Sequence, residues 1–286
     1  MRFANIDNRL VFIGADDRAV DLAQASAGRF TSRIQEAYLR WEELIEFCDG
    51  LSVKTKGQPL ADIAPESFGN PAPQPRQIFA IGLNYAEHAA ESSFAVPDEP
   101  PVFTKFASCL NGPYGTITLP AGKVDWETEL VVIIGRGGAD IATDNAWSHV
   151  AGLSVGQDIS ERDRQRVGPA PQFSMGKSFP GFGPIGPVLV TPDEFENPDD
   201  LELGCLINGE QMQKGRTRDM VFPVPELIAR LSAITPLMPG DVIFTGTPSG
   251  VGIGRSPERY LAPGDELVTY VRGIGEMRHQ MVSGQN

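Results

Sequence analysis

The chain has 286 residues, 41% of them hydrophobic and 21% charged, which fits a globular protein with room for one large domain or two unequal ones. Its formal net charge of −13 argues against nucleic acid or an anionic membrane surface as a partner. Three widely separated cysteines (Cys48, Cys109 and Cys205) form no Cys-x-x-Cys pair, no apolar run reaches about 18 residues, and the start of the chain has no signal-peptide pattern, so a reducing, cytoplasmic location is expected.

Residues 1–72 read as a small α+β unit. Short strands are expected at 2–6, 10–13 and 18–22, and apolar residues at helical spacing cover 34–48. Pro71, Pro73 and Pro75 mark a boundary, after which 73–286 reads as a larger, β-rich unit. A buried strand at 77–83 runs into Asn84, a candidate helix N-cap. His88 and Glu91 follow, three apart, so on a helix their side chains meet. A carboxylate beside imidazole fixes its tautomer and raises its basicity, as a water-activating base requires; an ordinary surface pair has the same spacing. A strand at 100–105 ends in Lys105, and another at 116–120 leads into the central stretch.

That central stretch, 124–163, holds the strongest chemical signal. Residues 124–135 read as one strand, apolar and β-branched over 130–134 and ended by Gly135-Arg136-Gly137-Gly138. Glu127 and Glu129 are two apart and share a face of it. A second apolar strand carries Asp158. Three carboxylates on one face repel each other and lose solvation, and a hard divalent cation such as Mg²⁺ relieves both costs. Glu-x-Glu at a strand start fits a solvated face equally well on spacing alone.

Farther on, His149 reads as structural at a helix-to-strand turn. Residues 160–166 are charged and without an apolar stripe, either a flap or a solvated turn. Lys177, set between small and apolar residues, is a candidate buried ammonium or a snorkelling lysine. Asn208-Gly209 between alternating runs signals a hairpin, and 224–234 an amphipathic helix. Gly250-Val251-Gly252-Ile253-Gly254 fails as a dinucleotide fingerprint, because Arg255 stands where the third glycine belongs and no helix follows. It reads instead as a glycine-rich loop near the site.

Taken together, Gly82-Leu83-Asn84-Tyr85 with His88 and Glu91, Phe103-Thr104-Lys105, Asp125-Trp126-Glu127-Thr128-Glu129-Leu130, Gln157-Asp158 with Arg162 and Gln165, Gly176-Lys177-Ser178-Phe179, and 244–252 resemble the fumarylacetoacetate hydrolase family in its acylpyruvase-like branch, over about residues 74–282. The resemblance implies an α+β, β-rich catalytic domain with a mixed sheet, preceded by a small N-terminal domain, and a homodimer. It implies Mg²⁺, or Mn²⁺ or Ca²⁺, held by Glu127, Glu129 and Asp158. His88 and Glu91 become the water-activating dyad, with Lys177 beside the metal. Lys105, Arg162, Gln165 and Thr247 become substrate-binding positions. The implied reaction is metal-dependent C–C hydrolysis of a 1,3-dicarbonyl acid of the acylpyruvate type. Decarboxylation of an oxaloacetate-like acid, or isomerisation or hydration of a dioxo acid, is the alternative. Relatives often carry proline where this chain has Phe106, a position that bears on substrate choice.

Overall fold

The computed structural model describes residues 1–51, 57–91 and 95–284. Its organising element is strand Thr128–Ile134, buried along its whole length. It pairs antiparallel with Val150–Gln157 on one side and Val242–Phe244 on the other. A strand covered on both faces must be apolar on both, which explains the unbroken run from Leu130. Its side chains alternate between two cores. Leu130, Val132 and Ile134 pack with Leu227, Ile228 and Leu231 of helix Val224–Ser232 and with Leu203, Val271 and Met277 of a second sheet. Val131 and Ile133 pack with Phe3, Leu10, Leu22, Trp41 and Leu44.

The large sheet runs, edge to edge, Gln58–Pro59, Arg18–Asp21, Arg9–Ile13, Arg2–Ile6, Gly183–Val190, Val150–Gln157, Thr128–Ile134, Val242–Phe244, Ile78–Ile81, Val102–Thr104. Along this path only Val242–Phe244 and Ile78–Ile81 lie parallel. The second sheet has the order Glu210–Arg216, Glu202–Ile207, Glu266–Val271, Gly275–Ser283, Tyr114–Leu119. With a few short helices around these sheets, the fold is α+β and β-rich. Residues 1–72 continue the large sheet, because Arg2–Ile6 pairs with Gly183–Val190. No described helix is long and apolar enough to cross a membrane, and all three cysteines are buried and free.

Several sequence expectations have direct counterparts. Residues 34–48 form helix Ile34–Ala37, a 3₁₀ turn and helix Trp41–Asp49, though Leu39 points outward at 64% exposure. Asn208 and Gly209 both take positive φ, 51° and 81°, as a two-residue type I′ hairpin turn demands. Two expectations are corrected. The strand at 124–135 is broken: Val124–Asp125 pairs with Ser160–Glu161 as a separate ribbon, and the long strand begins at Thr128. Asn84 is no helix cap. Its side-chain amide donates to the carbonyls of Phe222 and Thr245 and its Oδ1 accepts from Phe222 N–H, tying three distant segments together.

Candidate active site

Sheet register assembles the acidic face. Glu129 pairs with Gly156 and Thr128 with Gln157, and one step beyond the ladder the Asp158 N–H donates to the Glu127 carbonyl at 2.9 Å. Residues opposed across an antiparallel pair share a face, as do residues two apart on one strand. Glu127, Glu129 and Asp158 therefore converge. Each is buried, and one oxygen from each lies within 4.8 Å of the others.

Three cations surround this face. The Lys177 ammonium donates to Glu127 Oε2 and Asp158 Oδ2, both at 2.6 Å, and to Ser160 Oγ at 2.8 Å. Lys105 donates to Asp158 Oδ1 at 2.6 Å and to the Lys177 carbonyl. Arg162 reaches Glu127 Oε1 and Asp125 Oδ2, each at 2.7 Å. Four buried carboxylates thus face three cations, and Glu129 is left over, its one hydrogen bond among the described residues being from the Gly246 N–H to Oε2 at 2.8 Å. Burial, and then the neighbouring Asp158 and Glu127 charges, push the Glu129 carboxyl well above the usual carboxylate range. Burial acts the same way on Glu127, but Lys177 and Arg162 outweigh it and hold that carboxyl low. A buried set of hard oxygens carrying one uncompensated negative charge fits a divalent cation. Lys177 already bridges Glu127 and Asp158, so such a cation would share their oxygens, using lone pairs the ammonium leaves free.

On helix Ala86–Glu91, His88 Nδ1 and Glu91 Oε1 are 2.8 Å apart. Glu91 Oε2 accepts from Gly250 N–H at 2.9 Å, so the glycine-rich loop fixes the carboxylate that fixes the imidazole. Nε2 remains as the nitrogen available to a molecule in the cavity. The loop itself is held by Asp125, whose carboxylate accepts from Gly252 N–H at 2.7 Å and Ile253 N–H at 3.0 Å. Gly250 has φ of +103° and no space for a Cβ against the Met212 carbonyl, so its glycine serves close backbone approach.

These groups meet at a cavity of about 450 Å³. His88, Glu127, Arg162, Gln165, Lys177 and Thr247 stand on its wall, with Phe103, Phe173 and Ile253 supplying apolar surface. Glu91, Glu129 and Asp158 support that wall from behind. Lys105 also lies behind it, its ammonium committed to Asp158 and the Lys177 carbonyl rather than facing the cavity. The Thr247 hydroxyl donates to the Thr128 carbonyl and accepts from Gln213 Nε2, both at 2.8 Å, so toward a substrate it has only a lone pair to offer. Gln165 Oε1 accepts from Arg162 at 3.1 Å, and among the described residues its amide hydrogens have no acceptor. Sequence reasoning gave no role to Asp125, Ser160 or Gln213. Asp125 was visible only as the first acid of an Asp-x-Glu-x-Glu run.

Residues 77–282 match the family model for the C-terminal domain of fumarylacetoacetate hydrolase. The chain belongs to the fumarylacetoacetate hydrolase family. Mitochondrial oxaloacetate tautomerase FAHD2A of Bos taurus is 43% identical over 218 residues, 76% of this chain and 69% of that one. A Mycobacterium smegmatis structure provisionally assigned as an HpcE protein superposes with a TM-score of 0.95 at 53% identity over the whole of both chains. Maleylpyruvate hydrolase of Sphingobium sp. SYK-6, solved with manganese(II) and pyruvate, gives a TM-score of 0.82 at 29% identity, again over both whole chains. This fumarylacetoacetate hydrolase family member is therefore an enzyme of a family that contains hydrolases and tautomerases alike.

Proposed function

We propose that the protein is a divalent-metal-dependent hydrolase that cleaves a C–C bond in a 1,3-dicarbonyl acid of the acylpyruvate type, releasing pyruvate and a second acid. The observation that carries this reading is the His88–Glu91 pair, its Nδ1 engaged at 2.8 Å, on the wall of the same cavity as Glu127 and Lys177. Glu127, Glu129 and Asp158 would hold Mg²⁺ or Mn²⁺; when bound, the ion supplies Lewis-acid charge for the substrate's carboxylate and 2-oxo oxygens. His88 Nε2 takes a proton from water, and the hydroxide adds to the distal carbonyl carbon. The bond between that carbon and C3 breaks, leaving the new carboxylic acid and a pyruvate enolate. His88 returns its proton to C3. Lys177, whose ammonium sits among Glu127, Asp158 and Ser160, places positive charge beside the enolate oxygen.

A second reading is favoured by the 43% identity to an oxaloacetate tautomerase. In it the same imidazole moves a proton between C3 and the 2-oxo oxygen of a 2-oxo acid, with no water attack. Pyruvate release from a small acylpyruvate and from oxaloacetate, each assayed with Mg²⁺, with Mn²⁺ and with EDTA, tests the hydrolase, alongside oxaloacetate enol-to-keto conversion followed by ultraviolet absorbance. His88→Ala is expected to cut acylpyruvate cleavage by about 10²–10⁴-fold. Rapid tautomerisation without cleavage of any acylpyruvate would transfer the protein to the second reading. Cleavage that survives complete chelation would remove the metal from the mechanism.

A further inference from the structure

The cations on the cavity wall are not equivalent. Lys177 is held by Glu127, Asp158 and Ser160, and Arg162 by Asp125 and Glu127, so both direct their charge into the acidic face. Arg166 also stands on the wall, as the exposed residue that ends helix Arg162–Gln165. Among the described residues its guanidinium makes no ion pair and no hydrogen bond. Glu258, a carboxylate near enough to feel its charge, forms no ion pair with it and instead accepts at Oε2 from Tyr260 at 2.9 Å and Lys123 at 3.1 Å. Besides Arg162 and Gln165, the wall carries apolar surface from Phe103, Phe173 and Ile253. A molecule anchored at the acidic face therefore shares its cavity with apolar surface and with an exposed guanidinium that makes no ion pair among the described residues.

We propose that Arg166 binds a carboxylate at the far end of the substrate, so that the site selects 2-oxo acids with a second, terminal carboxylate over those ending in a neutral acyl group. A planar guanidinium takes a carboxylate in a bidentate fork, and a terminal methyl placed there offers it nothing. Arg166 is exposed, so solvent screening limits the discrimination to about tenfold. This assignment rests on the reading of the cavity as an oxo-acid site.

A matched pair of unreactive ligands tests it. 2-Oxoglutarate and 2-oxopentanoate have the same chain length and the same 2-oxo acid head, and differ only in a terminal carboxylate against a methyl; neither has a 1,3-dicarbonyl bond to cleave. Their affinities for the Mn²⁺-loaded full chain are measured by titration calorimetry. The wild type is expected to prefer 2-oxoglutarate by about tenfold, R166Q to bring that ratio near one, and R166K to fall between. Equal binding by the wild type, or a preference retained in R166Q, overturns the role of Arg166 and leaves the oxo-acid site standing. If neither compound binds, the oxo-acid reading fails and the Arg166 assignment falls with it.

Discussion

Glu129 is the residue on which the metal assignment turns, because Glu127 and Asp158 have cations on both oxygens and Glu129 has one backbone N–H. Saturating Mn²⁺ is expected to raise the melting temperature of the wild type by about 5 °C, the consequence of ligand concentrations near a hundred times Kd. Glu129→Gln should abolish that rise while melting, without metal, at or above the wild-type temperature, since it removes like-charge repulsion. A variant that keeps the Mn²⁺ shift would exclude Glu129 as a ligand. A second residue-scale expectation concerns His279, fully buried on strand Gly275–Ser283. Its Nε2 is 3.0 Å from the Gly112 carbonyl, which only accepts, so Nε2 carries the proton and Nδ1, without a partner among the described residues, is bare. Burial lowers its pKa to about 4, against 6.5 for the free side chain. The unfolded chain thus binds the proton first as pH falls. The neutral histidine's contribution is complete above about pH 6.5 and lost toward pH 4, up to about 3 kcal/mol. Urea denaturation at pH 7 and pH 4.5 should show the stability difference between wild type and His279→Gln shifting against the wild type at the lower pH. Parallel pH profiles would contradict it. The convergence of Glu127, Glu129 and Asp158 on one face was legible because period two and a second strand are local patterns. Asp125 was not, because its partners Arg162, Gly252 and Ile253 lie 37, 127 and 128 residues away.

Elements position these residues through close backbone approach, and Gly156 is the sharpest case. It sits opposite Glu129 in the ladder between Thr128–Ile134 and Val150–Gln157. A Cβ there would overlap Val131 Cγ2 and come within 2.9 Å of Phe244 Cε1. Gly156→Ala should therefore cost about 1–3 kcal/mol in urea denaturation and weaken Mn²⁺ binding, because the overpacked strand shifts under Glu129. Unchanged Mn²⁺ affinity would separate the ladder from the metal face. The element-scale record of the sequence is mixed for a physical reason. Helix Val224–Ser232 and the Asn208-Gly209 hairpin were readable because an apolar stripe and a positive-φ dipeptide are complete within a few residues. Helix Arg162–Gln165 lies in a stretch that read as either a flap or a solvated turn, because it has no apolar stripe, yet Arg162 and Gln165 are buried. Their face is covered by a polar site, which hydropathy cannot distinguish from water.

At the scale of the molecule, the proline-rich boundary near residue 72 separates two parts of the sequence that share one sheet. Pairing between Arg2–Ile6 and Gly183–Val190 brings together Arg2 and Val190, 188 residues apart, and no local periodicity reports it. The consequence is a dependence of the larger part on the smaller. Val131, Ile133, Ile185, Leu189, Val242 and Phe244 present one face of the large sheet, and Phe3, Leu10, Leu22, Trp41 and Leu44 are packed in the same core. Burying each such side chain is worth about 1.5–3 kcal/mol. The sum over this face rivals the 5–15 kcal/mol that typically separates a folded domain from its unfolded chain. A fragment of residues 73–286 is therefore expected to lack a cooperative thermal transition, to bind a hydrophobic dye, and to show no Mn²⁺-induced shift, since Thr128–Ile134 carries Glu129 on the sheet left uncovered. Supplying residues 1–72 as a separate chain should restore part of the transition if the shared core is the cause. A soluble 73–286 fragment that melts cooperatively and binds Mn²⁺ as tightly as the full chain would establish the catalytic region as self-sufficient and reduce the N-terminal strands to an accessory layer.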